Sequence, residues 1–319
     1  MSFTTEVKKE ILSNEELSFC CRKALMLGIL HGSSTINLTS KGPKLVVKSY
    51  ILNAIKLVSN YIKTEYEISG DIIVKDEQIN KVRRYYYFEI KEKVKEIVDD
   101  FQLPPFYELN YKHPFIKKEC CQGSFIAGMF VSKGSISDPR KTAYHYEISC
   151  YDENIAKIII DILAEFEITA SIIERKNSFV VYVKRSEHIS NCLALMKANS
   201  GVFYFEDSRI YRDYSNMANR ISNCDVANER RCLESCFAQL EAIYYLRDKG
   251  YFKTMPVRLQ SIARLREMYP DSSFEELATF SDNEFGKPMT KSGIAHCMKA
   301  LMEFYQSKKL QEKNKKNSN

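Results

Sequence analysis

The chain repeats itself at a spacing of one hundred residues, and this duplication constrains the fold more than any single motif does. Cys20-Cys21 aligns with Cys120-Cys121 without a gap, and Gly28 aligns with Gly128. Apolar positions beside these glycines also match, and weaker agreement continues through the stretches that follow. We therefore expect two similar halves, at about 15–102 and 115–200.

Both repeats show the same order of hydrophobic patterns. A 3.6-residue period at 18–31 and at 119–131 indicates a helix at the start of each repeat. In the second repeat an alternating stretch at 144–150, an amphipathic stretch at 153–166 and a hairpin pattern at 170–184 follow. The order predicts an α+β fold in which a duplicated αββαββα domain precedes an all-α C-terminal domain.

A glycine lies in the middle of the first helix of each repeat. Glycine costs about 0.8–1 kcal/mol relative to alanine inside a helix, so a compensating contact is expected. Because Gly28 and Gly128 occupy the same position of the two repeats, we expect the two helices to cross closely at a pseudo-twofold axis.

Composition places the chain among globular proteins: 45% of its 319 residues are hydrophobic and 28% are charged. Lys48 and Lys56 interrupt the most apolar stretch, 45–62, so no membrane span is expected. Residues 1–10 do not resemble a secretory signal, and the ten cysteines show no disulfide framework. We expect a cytoplasmic, nucleoid-associated protein with reduced thiols and no membrane partner.

The net charge of +6 is unevenly distributed. Five lysines and one glutamate give the tail 308–319 a charge of +4, which leaves +2 for the rest of the chain. A frayed, solvated end also explains such a tail. Binding to nucleic acid would therefore depend on local basic patches.

Residues 126–134, which read IAGMFVSKG, resemble the LAGLIDADG motif of homing endonucleases. The resemblance implies two motif helices at the centre of a DNA-gripping domain. Cleavage in that family requires acidic residues at the ends of these helices, because carboxylates hold the divalent metals. This chain has Lys133 and Ser33 at one of these positions and Val131 and His31 at the other. We therefore expect no nuclease activity, no metal site and no cofactor.

The wider pattern resembles the WhiA family of bacterial regulators, from near the N-terminus to about Leu301. The matching runs include Lys133-Gly134-Ser135-Ile136-Ser137-Asp138-Pro139, Tyr269-Pro270-Asp271-Ser272-Ser273 and Lys291-Ser292-Gly293-Ile294 with His296. The resemblance implies a degenerate LAGLIDADG-like domain joined to a helix-turn-helix domain. It also implies a regulatory role in sporulation, cell division or chromosome segregation.

The last hundred residues predict a DNA-binding module on their own. A helical pattern covers 216–247, and Pro256 is placed to open a second helix that ends near Met268. Asp271 or Ser272 is expected to cap a short helix at 274–280, and a polar turn at 281–289 follows. Thr290 is expected to cap the next helix, 291–304. Two helices joined by a turn are typical of a helix-turn-helix.

These patterns predict four segments along the chain: a degenerate LAGLIDADG-like domain at 1–205, a linker at 206–228, a helix-turn-helix domain at 229–307 and a basic tail at 308–319. Cys232 and Cys236 have a spacing that suits a metal ion, but buried core thiols explain them better.

The last helix is the expected reader of DNA. Ile294, Met298 and Leu301 fall on one face and should point inward. Lys291 and Lys299 suit phosphate or guanine, whereas Ser292 and His296 suit base edges. A solvated helix face is the alternative. The DNA-binding candidates of this domain are Ser273, Thr290, Lys291, Ser292, Gly293, His296 and Lys299.

Further phosphate contacts are expected outside the reader helix, from Arg209 and Arg220 near the linker and from Lys133, Arg175 and Lys176 in the repeats. The leading hypothesis is a non-catalytic regulator that binds double-stranded DNA. In a second hypothesis the repeat domain is a docking platform for another transcription or division regulator. A third is an active endonuclease.

Overall fold

The computed structural model describes residues 2–40, 42–78, 82–141, 143–176, 178–286 and 288–317. The chain divides into two compact units, Met1–Asp213 and Tyr214–Asn319. Among the described helices, none combines the length and apolar character needed to cross a bilayer.

The first repeat follows a short N-terminal helix and contains three helices and four strands. The elements are α1 (Phe3–Leu12), α2 (Phe19–Ser33), β1 (Ser34–Thr39), β2 (Gly42–Ser49), α3 (Leu52–Tyr66), β3 (Asp71–Gln78), β4 (Val82–Ile90) and α4 (Val94–Phe101). The strands form one antiparallel sheet in the order β1-β2-β4-β3, which we call the first sheet.

The second repeat has the same order of elements. They are α5 (Glu119–Lys133), β5 (Gly134–Ile136), β6 (Tyr146–Cys150), α6 (Glu153–Glu165), β7 (Ser171–Arg175), β8 (Ser178–Val183) and α7 (Ser186–Leu195). Their strands form the second sheet, in the equivalent order β5-β6-β8-β7. The predicted α+β fold with a duplicated αββαββα domain is confirmed.

The two motif helices, α2 and α5, pack directly on each other at the centre of this unit. A Cβ atom added at Gly28 would lie within 3.0 Å of backbone atoms of α5, and one added at Gly128 would meet the backbone of α2 just as closely. The helices therefore approach to a distance that only glycine permits, as the duplicated position predicts.

Helices pack on one face of each sheet. In the first sheet Leu45, Val47 and Phe88 point into the core, where α3 packs. Tyr146 and Ile148 do the same in the second sheet, under α6. Since side chains alternate along a strand, the intervening residues lie on the opposite face, which we call the open face of each sheet.

The C-terminal part of the chain is helical. It contains α8 (Asn199–Asp248), a short 3₁₀ helix (Tyr251–Thr254), α9 (Val257–Met268), α10 (Phe274–Phe285) and α11 (Lys291–Asn317). The segment expected as a linker, 206–228, is helical throughout as part of α8, because it contains neither glycine nor proline to end a helix.

Two predicted helix ends and one predicted cap are wrong. Ser273, not Asp271 or Ser272, caps α10, because its spacing to Glu276 allows a reciprocal capping box. Helix α10 continues past 280 to Phe285 and ends at Gly286, which has a φ of 65°.

Helix α11 continues past 304 into the tail. The hydroxyls of Tyr245 and Tyr251 both donate to Glu312, at 2.8 and 3.2 Å. The alternative of a frayed tail is therefore wrong as far as Asn317, where the helix ends.

Candidate nucleic-acid interface

Thr290 fixes the start of α11. Its Oγ1 accepts a hydrogen bond from the backbone N–H of Gly293 at 3.1 Å, as expected of an N-cap. A Cβ added at Gly293 would lie 3.3 Å from the same oxygen, so this glycine keeps the first turn compact. The unpaired N–H groups of that turn suit a phosphate oxygen.

Helix α11 has a buried face and a polar face. Ile294, Met298 and Leu301 are buried, which confirms the predicted inward face. The DNA-binding candidates on the other arc are exposed: Lys291, Ser292, His296 and Lys299. Their common exposure gives the helix a continuous polar surface about two turns long.

Ion pairs hold the two lysines of this surface. The Nζ of Lys291 lies 2.9 Å from Glu275 on α10, and that of Lys299 lies 4.0 Å from Glu303. Exposed pairs of this kind contribute at most about 1 kcal/mol, so a DNA phosphate can replace the carboxylate. The Ser273 hydroxyl and the Ser273 backbone N–H are both engaged with Glu276 in the capping box.

Arg266 supports the turn before α10, and sequence reasoning missed it. Its side chain is fully buried, with Nε donating to Gln239 at 2.9 Å and Nη1 donating to the carbonyl of Ser272 at 2.5 Å. Burial lowers its pKa, although an arginine stays charged in proteins. The sequence pattern of α9 could not show that Arg266 is buried, because its hydrogen-bond partners, Gln239 and Ser272, lie outside that helix.

In the first unit, a groove of about 850 Å³ lies at the carboxyl ends of α2 and α5. Three cationic side chains line it: Lys48, Arg83 and Lys133. The other lining residues are mostly serines, tyrosines and small residues, and no Asp or Glu occurs among the described residues that line it. The groove is therefore suited to a polyanion.

The ends of the motif helices do not fit the metals of a LAGLIDADG nuclease. Val131 is buried, and the hydroxyl of Ser33 donates to the carbonyl of Ile29 at 2.5 Å. His31 is also buried, and its Nε2 donates to the carbonyl of Phe101 at 2.9 Å. Burial lowers the pKa of His31 to about 4, so it stays neutral. Lys133 would repel a divalent ion.

A buried lysine lies beside residues that line the groove, and sequence reasoning missed it. Lys8 of α1 is 2% exposed, and its Nζ lies over the rings of Tyr50 and Phe130, at 5.2 and 5.6 Å from their centroids. Burial, followed by repulsion from Lys133 and Arg83, lowers the pKa of Lys8 to about 7. Its place on a short N-terminal helix gave no sign of this environment.

The open face of the first sheet combines cations with tyrosines. The Nζ of Lys48 lies 4.3 Å from the ring centroid of Tyr85 and 2.7 Å from Glu77. Lys75 lies 5.3 Å from the centroid of Tyr87. Such contacts hold the cations in place while leaving hydrogen-bond donors for phosphate.

The open face of the second sheet is less basic. Arg175 makes two hydrogen bonds to Glu147, at 3.2 and 3.1 Å, so its charge is compensated. Lys176 is exposed at the end of β7, with a left-handed φ of 51°.

The remaining candidates lie on α8. Arg209 pairs with Glu206 at 2.7 Å, and Arg220 is exposed. The structure thus brings the candidates of α11 together on one surface. It places Lys133 in the groove, Arg175 and Lys176 on the second sheet, and the two arginines on a separate helix.

Comparisons with known proteins place these features in a family. Three family models match the chain: the WhiA N-terminal LAGLIDADG-like domain at 19–104, the WhiA LAGLIDADG-like domain at 122–215 and the WhiA C-terminal HTH domain at 218–305. A protein of Oceanobacillus iheyensis named "Probable cell division protein WhiA" is 31% identical over 95% of this chain and 96% of its own length. The chain belongs to the WhiA family.

Other WhiA family members agree with this assignment. A Bacillus subtilis protein with the same name is 30% identical over 95% of this chain and 96% of its own length. The crystal structure of full-length DUF199/WhiA from Thermatoga maritima has a TM-score of 0.58 and 22% identity, covering 96% of this chain and 99% of that one. That likeness supports the fold.

Proposed function

We propose that this protein is a non-cleaving regulator that binds double-stranded DNA and acts in cell division. The groove carries the proposal: cationic, hydroxyl and aromatic side chains occupy the place where a LAGLIDADG nuclease needs carboxylates. The curated relatives bear the name of a probable cell division protein, which motivates the biological role. Roles in transcription, chromosome segregation and sporulation extend the same proposal.

In this proposal α11 reads the major groove. Ser292 and His296 contact base edges, while Lys291 and Lys299 contact guanine or phosphate after leaving Glu275 and Glu303. The first turn of α11, with Thr290 and Gly293, holds a phosphate, and the start of α10 at Ser273 holds another. The polar arc opposite the buried Ile294 and Met298 supports this assignment.

The repeat domain adds affinity through the phosphate backbone. Lys48, Arg83 and Lys133 supply contacts from the groove, and Arg175 and Lys176 supply weaker ones from the second sheet. Arg209 and Arg220 on α8 serve the same purpose. These contacts carry no sequence information, so they should raise affinity for all DNA alike.

A docking role for the second sheet is the alternative. Its open face exposes 38% of Ile173 beside the compensated pair of Arg175 and Glu147. A face with little net charge favours a protein partner, such as another transcription or division regulator, over DNA. Both roles are compatible with DNA binding by α11.

The proposed working parts are the repeat domain at 1–205, a connecting segment at 206–228, the helix-turn-helix domain at 229–307 and the tail at 308–319. A protein with this function would be cytoplasmic and associated with the nucleoid.

The decisive experiment maps bound sites by genome-wide crosslinking and sequencing, followed by footprinting of the full-length protein on the recovered sites. We expect discrete sites, and we expect Lys291→Ala with His296→Ala to abolish their protection, since each base contact is worth about 1–3 kcal/mol. Lys253→Ala, which changes an exposed lysine of the same unit outside α10 and α11, is the matched control.

Two results would contradict the proposal. Unchanged footprints in the double variant would remove α11 as the reader. Nicking of supercoiled plasmid by the wild-type protein with Mg²⁺ or Mn²⁺ would show that the protein cleaves DNA.

A further inference from the structure

Four thiols form a cluster at the amino-terminal ends of α2 and α5. Cys20 and Cys21 lie in the first turn of α2, and Cys120 and Cys121 lie in the first turn of α5. All four Sγ atoms lie within 4.8 Å of one another. Two cysteine pairs that are a hundred residues apart in the chain thus become one site when the motif helices pack.

Individual contacts show how closely the pairs approach. The thiol of Cys21 donates to the carbonyl of Cys120 at 3.3 Å, across the two helices. The Sγ atoms of Cys120 and Cys121 are 3.9 Å apart, although the residues are adjacent in the chain. All four cysteines are free thiols.

These separations suit a single tetrahedral ion. Four thiolates at about 2.3 Å from a zinc ion lie about 3.8 Å from one another. The cluster reaches that geometry if its widest pairs close by about one ångström, which side-chain rotation can supply. A cluster of several irons would spread its ligands more widely.

The position at two helix ends favours bound thiolates, whereas burial raises the pKa of the free Cys120 and Cys121 thiols. Both pairs lie at helix amino termini, where the helix dipole stabilises negative charge. Cys21 and Cys121 are each 2% exposed, whereas Cys20 is partly exposed and Cys120 is exposed. Two ligands are therefore shielded from solvent, and the other two leave a path for an ion to enter.

We propose that Cys20, Cys21, Cys120 and Cys121 together bind one thiophilic metal ion, with Zn²⁺ as the expected ion. Each thiol that binds releases its proton to solvent, and no electron transfer is involved. This differs from the expectation of no metal site, which rested on the missing carboxylates at the other ends of the motif helices and did not consider the four cysteines that helix packing brings together.

The proposed ion has a structural role. It ties the two repeats together at one end of the helix pair, while the groove lies at the other end. A helix of 15 residues is about 20 Å long, so the ion is remote from any DNA phosphate in the groove. Binding should therefore stabilise the first unit against unfolding without enabling cleavage.

The test uses the full-length protein, purified anaerobically with reduced thiols. Elemental analysis should find one zinc per chain, and a chelator that removes it should lower the melting temperature. Cobalt added to the zinc-free protein should give the strong thiolate-to-metal absorption and the visible bands of a tetrahedral four-thiolate site.

Cys20→Ser with Cys120→Ser removes the two accessible ligands and should reduce the metal content from one ion per chain to none. Cys224→Ser changes an exposed thiol outside the cluster and should keep the full content. If the double variant fails to fold, the wild-type cobalt spectrum decides the matter by itself.

Three outcomes would overturn the proposal. They are a wild-type protein that takes up neither zinc nor cobalt under reducing conditions, a cobalt spectrum without thiolate bands, and undiminished metal in the folded double variant. A disulfide between the two helices, formed in air by a protein that takes up no metal when reduced, would assign the cluster to redox chemistry instead.

Discussion

The two sheets share their topology and register but differ in the charge of their open faces. The first sheet presents Lys75 and Arg83 against tyrosine rings, and Lys48 lies between Tyr85 and Glu77. The second presents Arg175 paired with Glu147. The repeats have thus kept the buried pattern that maintains the fold, while the exposed positions differ. Since exposed positions contribute little to stability, they are free to differ in function.

The largest expected effect is on the stability of the first unit, at the crossing of α2 and α5 that both repeats share. Gly28→Leu and Gly128→Leu should each prevent stable folding of the first unit, because a side chain there meets backbone atoms of the other helix within 3.0 Å. Gly128→Ala places a Cβ 2.2 Å from the carbonyl oxygen of Leu25, so the two helices must move apart, at a cost of about 3 kcal/mol or more. Thermal unfolding followed by circular dichroism measures both effects.

Gly293→Ala is the matched control, because its added Cβ lies at 3.3 Å from a side-chain oxygen. It should leave the first unit unaffected. A Gly128→Leu variant that melts at the wild-type temperature would refute the role of the close helix pair.

Lys8 lies between the repeats and should produce the next largest effect. Its pKa falls from 10.5 to about 7 on folding, so the unfolded chain binds more protons between these values. Stability should therefore rise as the pH increases from about 7 to 10.5. Lys8→Met should remove this dependence and should be more stable than the wild type at pH 6.

Melting temperatures of both proteins from pH 6 to pH 9 test this expectation. Lys9→Met, which changes the neighbouring half-buried lysine, should keep the wild-type pH dependence. Parallel curves for the wild type and Lys8→Met would show that Lys8 does not lose its charge on folding.

The charge difference itself is tested by paired substitutions on the two sheets. Lys75→Gln with Arg83→Gln removes two exposed cations that contact tyrosine rings and should reduce the slope of log affinity against log salt by about 2, because each phosphate contact contributes about 0.9. Arg175→Gln with Lys176→Gln should reduce it by about half as much, since Glu147 already compensates Arg175 and only Lys176 supplies a full contact. Equal reductions would mean that both sheets contact DNA alike.

The smallest effect on the salt dependence of DNA affinity should come from removing the ion-pair partner of Arg175 on the second sheet. Glu147→Gln frees Arg175, so the salt slope should increase by at most about 0.9. Glu174→Gln removes the same charge from the opposite face of β7 and should have no such effect. If both variants bind DNA more tightly by the same factor, the gain reflects net charge and not the open face.

Local sequence patterns were sufficient for much of this architecture. Repeated spacing predicted the duplicated fold, the glycines predicted the close helix pair, and the periodicity of α11 placed Ile294 and Met298 in the core. Each of these three predictions depends on residues within one helix or strand, or on the comparison of the two repeats. The hydrophobic pattern of the last hundred residues predicted the helix-turn-helix, and the family resemblance implied the same assignment.

Long-range packing decided the rest. Contacts between different elements produce the burial of Lys8 and of Arg266, the pairing of Lys291 with Glu275 and the convergence of four cysteines. The C-terminal ends of α10 and α11 were also predicted wrongly. Helix propensity is weak at a helix end, so capping residues and tertiary contacts decide where the helix stops. A residue's type and spacing fix the face it occupies, whereas its pKa, partners and ligands depend on what the fold packs against that face.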